Sequence, residues 1–261
     1  MRWMIGLSLG SWVLLCVGVR GIGLHRAQAL TPEKPIWAAE ATALDLTCEP
    51  GKPEIQSPDH RFSARVVCAE HKGMVADAPV TYKTYSLRVL ARAGGQYEAP
   101  LGEGAHELLW APNSRMFLVN GSGNSNSGFF VDVYQIEDSG IRKLTITGRA
   151  QKDMVKSFPP CKAWNRDEAT CAGIASDPEF NMSALAWTKD SSAILVFAEV
   201  PCDSLYGGIM CQVRGYELNA LDGSILKRLS ASQTKQQWGK YAAWNIRIPQ
   251  PPKYGPAHVT W

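Results

Sequence analysis

The sequence predicts an all-β fold of blade-like antiparallel sheets. Short apolar runs rich in β-branched and aromatic residues recur along the 261-residue chain, and a tight polar corner follows such a run three times. Glycine turns join the runs that come between these corners, and no long amphipathic helical pattern interrupts the series. Recurrence at intervals of tens of residues is typical of stacked supersecondary units, here made of strands.

The three corners are alike. They are Gln56–Arg61, Trp110–Arg115 and Trp187–Ser192, and the strands predicted after them are Phe62–Cys68, Met116–Asn120 and Ala193–Val200. Each corner contains an Asp or Asn whose side chain can accept a hydrogen bond from a backbone N–H two residues further on. These side chains are Asp59, Asn113 and Asp190. We therefore interpret them as turn residues rather than as a ring of metal ligands.

The remaining strands complete each unit. We predict three inner strands ending at or near Trp. His106–Trp110 and Ser183–Trp187 lead into the second and third corners, and Tyr241–Trp244 begins a partial fourth unit. After the corners, three β-rich runs lead through glycine turns into further strands. These pairs are Ser86–Ala91 with Gln96–Leu101, Phe129–Ile136 with Ile141–Thr147, and Gln212–Leu218 with Ser224–Leu229.

This unit resembles a blade of the TolB-type β-propellers, in which a Trp-x-Pro-Asp corner recurs between the first two strands of each blade. The resemblance covers residues 50–250 in pattern, with Gln56 in place of the first Trp and Lys189 in place of the Pro. It implies a small or incomplete β-propeller of three units and a partial fourth. A strand within 37–47 would complete the fourth unit and close the ring; otherwise the sheets form an open array or a β-sandwich.

The first 29 residues have the pattern of a signal peptide. A basic start at Arg2 precedes an apolar stretch, and the segment ends in the small-x-small sequence Ala27–Ala29. The apolar stretch is short for a membrane span, which makes an uncleaved anchor the weaker reading. We predict a signal peptide at 1–29, a single disulfide-stapled β-repeat domain at 30–261, no membrane span after cleavage, and a periplasmic or secreted location.

Six of the seven cysteines lie after the predicted signal, and an even count in an exported chain indicates disulfides. Six cysteines allow 15 pairings, but these cysteines fall into three couples that are each close in the chain and each straddle a turn-like segment. We predict the pairs Cys48–Cys68, Cys161–Cys171 and Cys202–Cys211.

Charge argues against two classes of partner. The full chain has 27 Lys and Arg against 24 Asp and Glu, and Arg2, Arg20 and Arg26 leave with the signal. The mature chain is therefore close to neutral, which removes the main electrostatic argument for binding nucleic acid or an anionic membrane surface.

The sequence indicates no catalytic or metal-binding motif and no cofactor. The histidines are scattered without metal-ligand spacing, and the nearest approach to a nucleophile elbow, Gly123–Ser127, lacks the second glycine. Long polar loops on a β scaffold are the usual place for binding. Two loops supply the candidate binding residues, which are Asn120, Ser122, Asn124, Asn126, Trp164 and Asp167.

We therefore expect an exported, noncatalytic binding or interaction module with a protein or carbohydrate ligand. The alternative is an exported hydrolase acting on glycans or peptides, with catalytic residues gathered from the loops. A third reading is an envelope assembly module that pairs a strand with an open sheet edge.

Overall fold

The structure, a computed structural model, describes residues 35–48, 54–75, 78–122, 128–157, 180–200 and 212–246. The predicted signal peptide lies outside these residues. In chain order the strands are β1 (Thr42–Leu44), β2 (Ile55–Gln56), β3 (Phe62–Val75), β4 (Ala78–Ala91), β5 (Gln96–Leu101), β6 (His106–Trp110), β7 (Met116–Ser122), β8 (Phe129–Glu137), β9 (Gly140–Leu144), β10 (Asn181–Trp187), β11 (Ala193–Glu199), β12 (Val213–Asn219) and β13 (Ile225–Ser230). The helices are α1 (Gly148–Lys156), α2 (Ala231–Trp238) and a 3-10 turn (Gly239–Tyr241).

The strands form three antiparallel sheets that follow one another along the chain. The first has the order β2-β3-β4-β5, the second β1-β6-β7-β8-β9, and the third β10-β11-β12-β13. Neighbouring strands are antiparallel throughout these sheets. The predicted all-β class with blade-like antiparallel sheets is confirmed.

The sheets pack face to face. One core cluster joins the first and second sheets and includes Leu87 and Phe117. A second cluster joins the second and third sheets and includes Leu118 and Val196. Side chains on each strand alternate between the two faces, so β7 contributes Phe117 to one cluster and Leu118 to the other. The far side of the third sheet is covered by α2 and the segment around Trp244.

The outer face of the first sheet is polar. Arg88 and Glu98 form an ion pair there, and Ser63 donates to Glu54. Terminal units of stacked arrays commonly carry a polar outer face, because no further unit covers it. Among the described residues this face is the exposed end of the stack.

Equivalent positions in successive units make equivalent contacts. The indole N–H of Trp110 donates to the carbonyl of Ile55, and that of Trp187 donates to the carbonyl of Leu109. Both indoles are buried. One residue in each corner has a left-handed backbone, with φ between 58° and 62° at His60, Ser114 and Ser191.

The first and last described segments of the chain contact each other. β1 pairs with β6 at the edge of the second sheet, and Ala38 forms an isolated antiparallel bridge with Ala242. The predicted inner strand Tyr241–Trp244 is not a strand, since Tyr241 ends the 3-10 turn and only Ala242 is bridged. The segment before β1 therefore crosses from the second sheet to the C-terminal segment.

None of the described helices is long and apolar enough to cross a membrane. Both are short and amphipathic. α1 buries Ala150 and Met154 against the second core cluster, and Arg228 anchors the helix through Asp153. α2 begins with a capping box in which Ser230 and Gln233 exchange side-chain and backbone hydrogen bonds.

Candidate functional site

Asn120, a predicted binding residue, lies in strand β7 and is fully buried. Its amide nitrogen donates to Glu107 Oε1 at 2.7 Å and to the carbonyl of Ala184 at 2.9 Å. Its amide oxygen accepts the backbone N–H of Ala184 at 2.8 Å. Asn120 therefore ties the second sheet to β10 of the third, and its polar atoms are all occupied by the fold.

Glu107 is the centre of the same buried network. Its carboxylate accepts the backbone N–H groups of Ile36 at 2.8 Å, Trp37 at 3.0 Å and Ala38 at 2.8 Å, besides the amide of Asn120. A buried carboxylate is stable only when such donors replace its hydration. One signal of this role was visible in the sequence, a lone acid in the predicted inner strand His106–Trp110.

Ser122 ends β7, and its hydroxyl accepts the backbone N–H of Ala105 at 2.9 Å. At the same edge Phe129 donates its backbone N–H to the Asn181 side chain, and the N–H of Val200 donates to the carbonyl of Gln212. The described residues that flank segment 123–127 and segment 201–211, and the residue that follows segment 158–179, lie at this edge. Asn124, Asn126, Trp164 and Asp167 lie in segments 123–127 and 158–179, outside the described residues, and their binding role stays a prediction.

One of the three predicted disulfides lies within the described residues, and the other two lie outside them. Cys48 and Cys68 form a disulfide with their Cα atoms 5.8 Å apart, so this pair is confirmed. The pairs Cys161–Cys171 and Cys202–Cys211 lie outside the described residues and remain predictions. In the part of the chain that the structure describes, no group of three or more His, Cys, Asp or Glu side chains is arranged to hold a metal ion.

His106 lies in the core rather than at a reactive surface. Its Nδ1 lies 3.1 Å from the carbonyl of Gly104, and its Nε2 is buried without a hydrogen-bond partner. The ring packs edge-on against Phe130, and both rings cover Gly121, where a Cβ would lie 2.4 Å from the Phe130 ring. Burial lowers the pKa of His106, while the Gly104 carbonyl and the Asp132 charge act in the opposite direction.

The feature that the sequence did not predict is the length of the β3–β4 hairpin. Each strand has 14 residues, and the two remain in one unbroken register from Phe62 opposite Ala91 to Val75 opposite Ala78. β2 pairs with β3 only at Ser63 and Ala64, and β5 pairs with β4 only from Tyr85 onward. We call the projecting part, residues 69–75 with 78–84, the arm.

The arm extends about 20 Å beyond the sheet at the usual rise of a strand. Its side chains are mostly exposed, including Met74 at 65% and Tyr82 at 50%. One face carries the stacked rings of His71 and Tyr82, whose centroids are 5.3 Å apart, and the Tyr82 ring lies over Gly73. The other face carries the cross-strand pair Glu70 and Lys83, which have opposite charges.

Both edges of the arm are open in the described part of the chain. The base of the arm is fixed, because Cys68 in β3 is bonded to Cys48 and lies opposite Tyr85, where β5 begins to pair. An open β-strand edge is a template for another strand, and natural proteins usually shorten or cover such edges. The arm is thus the candidate interaction surface of this structure.

No protein-family model and no curated protein sequence matches this chain. The resemblance to TolB-type blades therefore rests on the corner pattern alone, and the candidate site rests on the geometry of the arm.

Proposed function

We propose that the mature chain is exported to the periplasm or beyond and acts there as a noncatalytic module that binds another protein through the arm. Export is supported by the sequence pattern of residues 1–29 and by the Cys48–Cys68 disulfide, since disulfides persist mainly in oxidising compartments. The observation that carries the binding function is the arm itself.

The arm makes little contribution to the core. Fixing the backbone of one residue costs roughly 1–2 kcal/mol, and a two-stranded ribbon without a packed face offsets that cost poorly. The side chains of Glu70, Lys72, Thr81 and Lys83 are all exposed. A ribbon of this length is therefore better explained by contact with a partner than by stability.

A protein is the partner that an open strand edge fits best. Edge pairing uses backbone N–H and C=O groups at strand spacing, which an extended polypeptide presents and a sugar does not. A carbohydrate ligand would instead depend on the polar loops at 123–127 and 158–179, outside the described residues. The alternative of an exported hydrolase gains no support from His106, because this side chain is buried in the core and its Nε2 has no hydrogen-bond partner.

Site-specific photo-cross-linking tests this function. A photoreactive amino acid at Met74 or Tyr82 in the arm should trap a protein from the exported fraction, whereas the same group at Leu226, 54% exposed on β13, should trap far less. An unlabelled chain whose arm is shortened to a tight turn between Cys68 and Tyr85 should keep its cooperative unfolding but fail to compete for the trapped protein, whereas the unlabelled full-length chain should compete. Equal labelling at the arm and at Leu226, or turnover of a glycan or peptide by the shortened variant, would overturn the proposal.

A further inference from the structure

We propose that the partner of the arm is a second copy of this chain, paired antiparallel through the free edge of β3 about a two-fold axis at His71. This inference rests on the proposed function, because it names the protein that the arm binds. It is carried by three features of β3: the direction of its free backbone groups, the order of its charges, and the length of its open edge.

The direction of the backbone groups follows from the pairing with β2. The carbonyl of Phe62 accepts the N–H of Ser57 on that side, and Ala64 pairs with Ile55 there. Backbone groups alternate between the two edges of a strand, and the β3–β4 register has no shift. The N–H and C=O groups at the free edge therefore belong to Cys68, Glu70, Lys72 and Met74.

An antiparallel partner centred on His71 places these four residues opposite one another. Glu70 of one copy faces Lys72 of the other, and Cys68 faces Met74. Each such pair exchanges two backbone hydrogen bonds, with Cα atoms about 5.5 Å apart. The ladder thus uses the open backbone groups of β3 in both copies.

Charge selects this register. Two-fold pairing about His71 makes two Glu70–Lys72 pairs between copies, whereas pairing about Lys72 or about Glu70 would place like charges directly opposite. Opposite charges across strands stabilise a sheet, and like charges destabilise it by a similar amount. The same register brings Met74, which is 65% exposed, against the Cys48–Cys68 disulfide of the other copy.

The open edge also has the required length. β2 covers β3 only as far as Ala64, so the edge is free from Arg65 to Val75. In the antiparallel pairing about His71, Val75 of the other copy lies opposite Val67. The added strand therefore ends just before the residues that pair with β2. An isologous contact of this kind closes on itself, so the pairing gives a dimer rather than a fibre.

Charge reversal tests the register directly in the mature, oxidised chain. Sedimentation velocity from micromolar to millimolar concentration should show a reversible dimer. Glu70→Lys or Lys72→Glu alone should weaken self-association at least about tenfold, because each puts like charges opposite at two places. Lys152→Glu, on the exposed side of α1, is the matched control and should leave it unchanged.

Complementation separates a specific register from a general charge effect. An equimolar mixture of the Glu70→Lys and Lys72→Glu chains should form a heterodimer as tight as the wild-type dimer, and the chain with both changes should dimerise alone. Failure of both restorations, or single variants that behave like Lys152→Glu, would overturn the inference.

The two proposals also fail differently. If the wild-type chain stays monomeric while the probe at Met74 traps a different exported protein, the second copy is excluded and the binding function stands. If the chain is monomeric and the probe traps nothing, both are excluded.

Discussion

The hydroxyl of Ser114 accepts the backbone N–H of Asp59 at 3.1 Å, which joins the corner of the second sheet to that of the first. Ser191 repeats the contact one unit later, accepting the N–H of Asn113 at 3.0 Å. Both serines have a left-handed backbone, an uncommon conformation for a residue other than glycine. The corners thus hold each sheet to the next as well as turning the chain.

Replacing Ser114 should separate these two roles. Ser114→Ala loses the hydrogen bond and keeps the left-handed strain, so we expect a loss of about 1 kcal/mol in the free energy of unfolding. Ser114→Gly loses the same bond but removes strain of roughly 1 kcal/mol, and should be close to wild type. Urea unfolding of the two variants measures the difference. An alanine variant as stable as the wild type would show that the contact with Asp59 contributes nothing, and one as stable as the glycine variant would show that the left-handed backbone costs nothing.

Glu107→Gln should be among the most damaging single-atom changes in this chain. The carboxylate oxygens accept four N–H groups, and an amide in either orientation turns its NH₂ toward two of them. Leaving buried donors unpaired costs about 1–3 kcal/mol each, so we expect at least about 2 kcal/mol of lost stability.

Thermal or urea unfolding measures this loss, with Glu40→Gln as the exposed control of the same chemistry. Amide hydrogen exchange adds a local readout, because the N–H groups of Trp37 and Ala38 should lose protection first in the Glu107 variant. Wild-type protection at these two amides would contradict the assigned role of Glu107.

The strand order could largely be predicted from the sequence, for a physical reason. β6, β7, β10 and β11 are buried on both faces, and their predicted bounds differ from the observed ones by at most two residues. Continuous apolar runs between polar corners leave few alternatives. Asp222–Gly223 also turns as predicted, with φ 65° at Gly223, where a Cβ would lie 2.1 Å from the carbonyl oxygen of Ile146.

The arm was not predicted from the sequence because it packs on no core, and so no alternating apolar pattern marks its strands. Beyond Ala69 the chain reads Glu-His-Lys-Gly, and the facing strand contains Pro79, a composition typical of loops. Its order depends on cross-strand pairing alone. Asn120 was misleading in the opposite sense, since its polar neighbours in sequence predicted a loop while its partners, Glu107 and Ala184, are 13 and 64 residues away.

Mild acid should destabilise the fold through His106. Its pKa lies below the ordinary histidine value in the folded state, so the unfolded chain takes up the proton first as the pH falls. The stability is therefore complete above about pH 6.5 and decreases from there toward the lower folded pKa. The negative charge of Asp132, which is itself paired with Lys143, opposes the lowering of the His106 pKa but does not reverse it.

Urea unfolding between pH 7 and pH 5 tests this expectation. His106→Gln should abolish the slope in this window, because the group that titrates is gone. Carboxylates contribute at lower pH: hydrogen bonds from Thr188 and Ser192 lower the pKa of Asp190 to about 2, so its contribution is lost only in strong acid. An unchanged slope in the His106 variant would assign the effect to other groups.

Reduction of the Cys48–Cys68 disulfide should loosen the base of the arm. The two cysteines are 20 residues apart, and closing a loop of that size stabilises by about 3 kcal/mol on the chain-entropy model. The paired change Cys48→Ala with Cys68→Ala should lower the free energy of unfolding by that order. Exchange of the amides of His71 and Gly73, which face β4, should accelerate more than that of amides in β11, since no further strand flanks the arm in the described part of the chain.

A peptide mass map of the exported protein, with and without reduction, tests both the disulfide and the predicted signal cleavage site. It should show Cys48 joined to Cys68, and a first residue of Leu30 if the signal is cleaved as the sequence predicts. Peptides joining Cys161 to Cys171 and Cys202 to Cys211 would confirm the two disulfides predicted in segments 158–179 and 201–211. Free thiols at Cys48 and Cys68 in the exported protein would contradict the Cys48–Cys68 disulfide, and a first residue before Leu30 would contradict the predicted cleavage site.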